Sequence, residues 1–110
     1  MNALRNKVQL IGNVGNDPEI KNFEGGKKLA NITLATNESY KNDKGEKVEE
    51  TQWHRLTAWG KTAEIIEKYV TKGKEIAIEG KLTHRSYDDK NGEKRYVTEV
   101  VINELLMLGK

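Results

Sequence analysis

The sequence contains no cysteine, which excludes disulfides and thiolate metal sites and fits a reducing compartment. Histidine occurs only at His54 and His84, and neither has a carboxylate or a second histidine at metal-ligand spacing. No glycine-rich phosphate loop is present. Asp89-Lys90-Asn91-Gly92 resembles the middle of a calcium loop, but Tyr87 stands where the first acid is required and Thr98 where the closing glutamate is required. No apolar run approaches membrane-spanning length, and Met1–Lys7 lacks the apolar segment of a secretory signal. These absences point to a non-enzymatic protein without metal, cofactor or membrane partner, in the cytoplasm.

Charge is plentiful but nearly balanced. Lysine and arginine number 19 against 17 acids, a net charge of +2. That is short of the basic balance expected of a protein held to duplex DNA by charge alone. The 110 residues are enough for one domain, 1–110, with a core that needs no staples.

Alternation predicts a strand from Leu4 to Val14, with Val8, Leu10, Gly12 and Val14 on one side. Gly12 and Gly15 mark a bulge or bend, and Gly15-Asn16-Asp17-Pro18 a turn. A short segment, Glu19 to Phe23, leads to the Gly25-Gly26 turn. Leu29 to Thr36 reads as the second strand, and Asn42-Asp43-Lys44-Gly45 as the tip of a long hairpin to a third strand from about Val48 to Gly60. The period then changes: apolar residues at Ile65, Ile66, Tyr69 and Val70 share a helical face, with Thr62 as N-cap, Glu64 in the first turn and Gly73 as the stop. A fourth strand carries Ile76, Ile78, Gly80 and Leu82. A second tip at Asp88–Gly92 leads to a fifth strand, Arg95 to Met107, with Tyr96, Val100 and Ile102 together. By position, Tyr69 and Tyr96 are expected in the core. The predicted fold is all-β with one short helix: a five-stranded Greek-key OB-fold barrel, the helix between strands 3 and 4.

One stretch stands out. In Thr51–Lys61, a period of two sends Trp53, Arg55, Thr57 and Trp59 one way and Gln52, His54, Leu56 and Ala58 the other. The second set holds the aliphatics a core takes. The first puts both tryptophans of the chain around a cation on the accessible face. Exposed aromatics mark binding surfaces, and flat rings interleaved with positive charge suit unstacked bases on a phosphate backbone. Packing under a loop is the alternative for the tryptophans. Tyr40 and Tyr87 stand at the entrances of the two long hairpins, and Lys7, Arg55, Lys61, Lys72, Lys74 and Arg85 are candidate phosphate contacts. His54 points away from the tryptophans, toward a core or a subunit contact.

The chain resembles the bacterial-type, homotetrameric OB-fold family of single-stranded DNA-binding proteins. The residues that carry the resemblance are Asn6–Glu19, Ala30–Thr36, Thr51–Arg55 with Gly60-Lys61, Lys72-Gly73, Ile78–Leu82 and Tyr96–Val101, in the family's order. It implies sequence-tolerant binding and protection of single strands in replication, recombination and repair, in a nucleoid-associated homotetramer. The family's stacking positions fall on Tyr40, Trp53, Trp59 and Tyr87, its phosphate contacts on Lys7, Arg55, Lys61, Lys72 and Arg85. Subunit-interface positions fall on Asn6, Gly15 and His54.

Better-known members often carry tryptophan in place of Tyr40 and Tyr87, and phenylalanine in place of Trp59. They usually continue into a flexible linker and an acidic tip that recruits replication and repair proteins. This sequence stops at Leu105–Lys110, the tail being either cut off or naturally absent, so recruitment is not carried over. A tail-less primosomal OB protein, or an oligomerisation module whose tryptophans face a protein, are the rival readings.

Overall fold

Strands whose inward positions are valine, isoleucine, leucine or alanine wrap around one core. The computed structural model describes residues 4–108; the ends of the predicted domain, 1–3 and 109–110, lie outside them. Its elements are β1 (Val8–Val14), β2 (Glu19–Phe23), β3 (Lys27–Lys41), β4 (Lys47–Trp59), α1 (Gly60–Tyr69), β5 (Glu75–Asp88) and β6 (Lys94–Met107), with a 3-10 turn at Glu24–Gly26. Five strands close a barrel in the order β1-β5-β6-β4-β3, and β3 pairs back onto β1. This is the expected OB barrel, with α1 between its third and fourth strands.

β2 is an addition: the segment read as a connection pairs with β3 from Glu19↔Asn31 to Phe23↔Lys27. β1 and β2 therefore share one edge of β3, since β1 takes Leu34 and Ala35 further along. Between them the Gly15–Pro18 turn stands opposite Thr33. The Gly15 N–H donates to the Thr33 carbonyl at 2.9 Å, and Asn16 Oδ1 accepts from the Thr33 N–H at 2.8 Å and from its hydroxyl at 2.7 Å. A side-chain amide replaces the missing ladder partner, so β3 loses no backbone bond where its neighbour changes.

The core joins Val14, Ile32, Leu34, Leu56, Ile76, Ile78, Val100 and Ile102 from the strands with Ala63, Ile66 and Val70 from the end of the barrel that α1 covers. Closure demands close backbone approach at Gly12, where a Cβ would lie 2.1 Å from the Ala35 carbonyl oxygen. The β1–β5 register runs unbroken through Gly12, so it marks a contact, not a bulge. The bulge lies instead between β5 and β6 at Glu79/Gly80.

Several expectations are corrected. The strand expected from Leu4 begins at Val8. Thr62 is not the helix N-cap: Trp59 holds that position without a side-chain cap bond, and Gly60 at φ +62° turns β4 straight into the helix. Glu64 accordingly falls outside the first turn. Only Ala63 and Ile66 of α1, with Val70 just after it, face the barrel, which leaves Tyr69 exposed. Tyr96 is 78% exposed although it shares its side of β6 with buried Val100 and Ile102, because β5 and β6 run on beyond the barrel there and Val97, on the other side, is the residue that is buried.

The hairpin tips share one mechanism. Asn42 Oδ1 accepts from the N–H groups of Lys44 and Glu46, and Asp89 Oδ1 accepts from those of Asn91 and Glu93. The calcium-like stretch is thus an Asx turn. Among the described residues, no cluster of three or more His, Asp or Glu could hold a metal. None of their helices is long and apolar enough to cross a membrane.

Candidate nucleic-acid interface

The alternation of β4 positions the site. Leu56 and Ala58 are buried, while Trp53 is 63% and Trp59 48% exposed. Register sets Trp53 opposite Ala35, Arg55 opposite Thr33, Thr57 opposite Asn31 and Trp59 opposite Leu29. These residues share the side of β3–β4 turned away from the core, on which Ala35 and Thr57 are themselves covered. The Trp53 ring lies over Gly15, where a Cβ would come 2.3 Å from Cζ3. Trp59 meets Phe23 of β2, their ring centroids 6.0 Å apart and their planes 30° from parallel.

β4 and β6 pair in parallel only at Leu56↔Val100 and Thr57↔Val101. Around that junction and along β6 three shallow depressions open, and Arg55 lines each of them. One runs toward Asn16, Glu19, Asn31, Thr33, Arg85 and Glu99. Another is bounded by Trp53, His54, Leu82 and Thr98, and the third by Tyr87, Arg95 and Tyr96. The guanidinium stem of Arg55 thus stands where the grooves meet.

Beneath it lies a polar centre that the sequence did not reveal. Thr57 is buried, and its hydroxyl bridges Asn31 Oδ1 at 3.1 Å and Glu99 Oε2 at 3.0 Å. Glu99 Oε1 accepts from Arg85 Nε at 2.9 Å, and the glutamate side chain is only 11% exposed. The carboxylate holds Arg85 by one nitrogen and leaves the terminal nitrogens of its fork for another acceptor. Arg85 also lies 6.0 Å from the centroid of the Tyr87 ring, at the edge of cation–π range. Alternation alone only sets Glu99 on the side of its strand opposite Tyr96, Val100 and Ile102. Nothing in its local pattern signals the β4–β6 junction, where Val101 stands opposite Thr57 and brings Glu99, on the same side of β6, to its hydroxyl.

The remaining expected residues divide. Lys61 opens α1 and is exposed, and Lys72 sits in the turn before β5, where its N–H donates to Asp17 Oδ1 at 3.0 Å. Among the described residues, neither they nor Arg55 forms a side-chain ion pair. Lys7 does, with Glu79 at 2.8 Å; the hydrogen bond from Lys7 is the main cause that holds the Glu79 carboxyl below its usual range. Tyr40 shares the parity of Leu34 and Thr36 in an unbroken register, so it lies on the opposite side of β3–β4 from Trp53. His54 Nε2 is 2.9 Å from Thr36 Oγ1. Asn6 exchanges two hydrogen bonds with the Leu82 backbone, at 3.1 and 3.0 Å, and so extends the β1–β5 ladder.

A five-stranded barrel with aromatics flanking a central arginine defines an OB-fold binding domain. The sequence model of the Single-strand binding protein family matches residues 5–108, and the chain belongs to that family. It is similar to single-stranded DNA-binding protein 1 of Chlorobaculum tepidum, 50% identical over 94% of this chain and 65% of that protein. Protein 1 of the same description from Xylella fastidiosa is 44% identical over 98% of this chain and 80% of its own length. The chain thus spans just under two thirds of the first relative. Among solved structures, the Plasmodium falciparum SSB complex with ssDNA superposes with a TM-score of 0.88 at 34% identity, covering 99% of this chain and all of that one. A deletion mutant of the single-stranded DNA binding protein from Thermus aquaticus gives 0.82 at 29% identity, over 94% of this chain and 50% of that one.

Proposed function

We propose that this chain is a non-enzymatic, sequence-tolerant binder of single-stranded DNA that protects exposed strands during replication, recombination and repair. The observation that carries the reading is the Trp53–Arg55–Trp59 row on the outward face of β4, in a fold shared with a relative solved with ssDNA. Bases stack on Trp53, Trp59 and Tyr87, with Tyr40 met on the opposite side of the β3–β4 hairpin. Lys7, Arg55, Lys61, Lys72 and Arg85 contact phosphates. Stacking accepts any base because every base has a π-face, and a duplex hides those faces.

The same reading makes the chain a homotetramer. Ile11 and Leu106 are large, exposed apolar residues, and register joins them through Ala77 into one row across β1, β5 and β6. Such a row on a sheet face suits a second copy of itself, with Asn6, Gly15 and His54 as further subunit contacts. The reading places the chain in the cytoplasm, on the nucleoid.

Titration of tryptophan fluorescence with oligo-dT, against a duplex of equal length and at several salt concentrations, tests the binding. Strong quenching by the single strand, weakened by salt and nearly absent with duplex, is expected. No quenching by either ligand would turn the aromatic face toward a protein partner.

A further inference from the structure

Phe23 is the only phenylalanine in the chain. It is 46% exposed at the end of β2, the strand that lies outside the closed barrel. Its ring meets Trp59 with centroids 6.0 Å apart, inside the 4.5–7 Å range of mutually attracting aromatics. By parity it shares its side of β2 with Glu19 and Lys21, and Glu19 lines the groove that Arg55 also lines. Register sets Lys21 opposite Leu29, which in turn is opposite Trp59, and Phe23 opposite Lys27. Lys21 and Lys27 form no ion pair among the described residues. An exposed ring, continuous with a tryptophan platform and flanked by two free cations, has the composition of a single-strand path.

We infer that Phe23 is a further base-stacking position, which carries the single strand past Trp59 and over β2, with Lys21 and Lys27 beside the phosphates. The inference rests on the single-stranded DNA reading above. In this arrangement Phe23 does more than support Trp59: it offers its own outer face to the next base.

The test compares the intact protein with Phe23→Leu, Phe23→Tyr and Trp53→Ala in equilibrium binding to oligo-dT and to an abasic oligomer of equal length. Leucine keeps an apolar contact with Trp59 but has no π-face. Phe23→Leu is expected to bind oligo-dT about fivefold or more weakly, Phe23→Tyr within about twofold of the parent, and all three equally to the abasic strand. A Phe23→Trp, Trp53→Phe, Trp59→Phe variant, with its single tryptophan at position 23, is expected to be quenched by oligo-dT. Unchanged oligo-dT affinity in Phe23→Leu, with Trp53→Ala weakened, overturns the inference and leaves the parent reading standing. No quenching of the position-23 reporter in a protein that still binds has the same meaning. Unchanged affinity in both Phe23→Leu and Trp53→Ala overturns the parent reading and this inference with it.

Discussion

Gly15 is the floor beneath Trp53. A Cβ at that position would sit 2.3 Å from the Trp53 ring and 2.7 Å from Thr33 Oγ1. The threonine cannot give way freely, because Asn16 holds both its hydroxyl and its N–H. The turn between β1 and β2 therefore sets the pose of the more exposed of the two tryptophans on β4. Gly15→Ala should push Trp53 outward, at a folding cost of about 1–3 kcal/mol for overpacking. It should weaken oligo-dT binding by up to the 1–3 kcal/mol that a stacked base contributes. In a Trp53→Ala background the same substitution should cost little further affinity, and a double-mutant cycle measured by fluorescence anisotropy checks that coupling.

Arg55 and Lys7 should differ in their effect on salt dependence. Arg55 has no ion pair among the described residues and stands where three grooves meet, so each phosphate it neutralises releases its counterion. Removing it by Arg55→Gln should make the slope of log K against log salt shallower by about 0.7, the single-strand value per phosphate. Lys7 is already paired with Glu79 at 2.8 Å, and a phosphate must compete with that carboxylate. Lys7→Gln should change the slope by clearly less. Equal changes for the two variants would show that the Lys7–Glu79 pair opens without cost on binding.

The Asp89 tip makes a pH prediction. The Arg95 hydrogen bond, then the N–H groups of Glu93 and Asn91, hold its carboxyl below the ordinary value of 3.8. A lowered folded pKa stabilises the tip fully above the unfolded value and loses that contribution as pH falls through the folded one. Protection of the Asn91 and Glu93 amides should stay flat from pH 8 to 5 and drop only below about pH 4. Asp89→Asn keeps the turn acceptor but cannot titrate, so in that variant the acid-dependent drop should disappear.

What could be read from the chain follows where the core is. Leu56 and Ala58 against Trp53 and Trp59 were legible because β4 there is barrel wall, where a period of two is also a buried and an exposed side. Tyr96 was not, because its strand has left the barrel and alternation no longer reports burial. β2 escaped notice because Glu19–Phe23 has only Ile20 to mark an inward side. Glu99 depends on β4 and β6 meeting 42 residues apart in sequence, and no local pattern encodes that meeting.

The row Ile11–Ala77–Leu106 carries the prediction on assembly. An aliphatic side chain taken fully out of water contributes about 1.5–3 kcal/mol, and each copy in a self-complementary contact supplies the same two large residues. Ile11→Glu would place a carboxylate in that contact, unpaired and repelled by its symmetry mate. Sedimentation velocity should then show a smaller species in place of a four-chain particle. The domain itself should stay folded, since Ile11 points away from the core that Val14 and Ile76 build. Oligonucleotides short enough for one barrel should bind almost as before, while long ones lose the affinity that comes from several linked sites. A variant of unchanged mass would move the subunit contact off this face and toward the edge where Asn6 bonds Leu82.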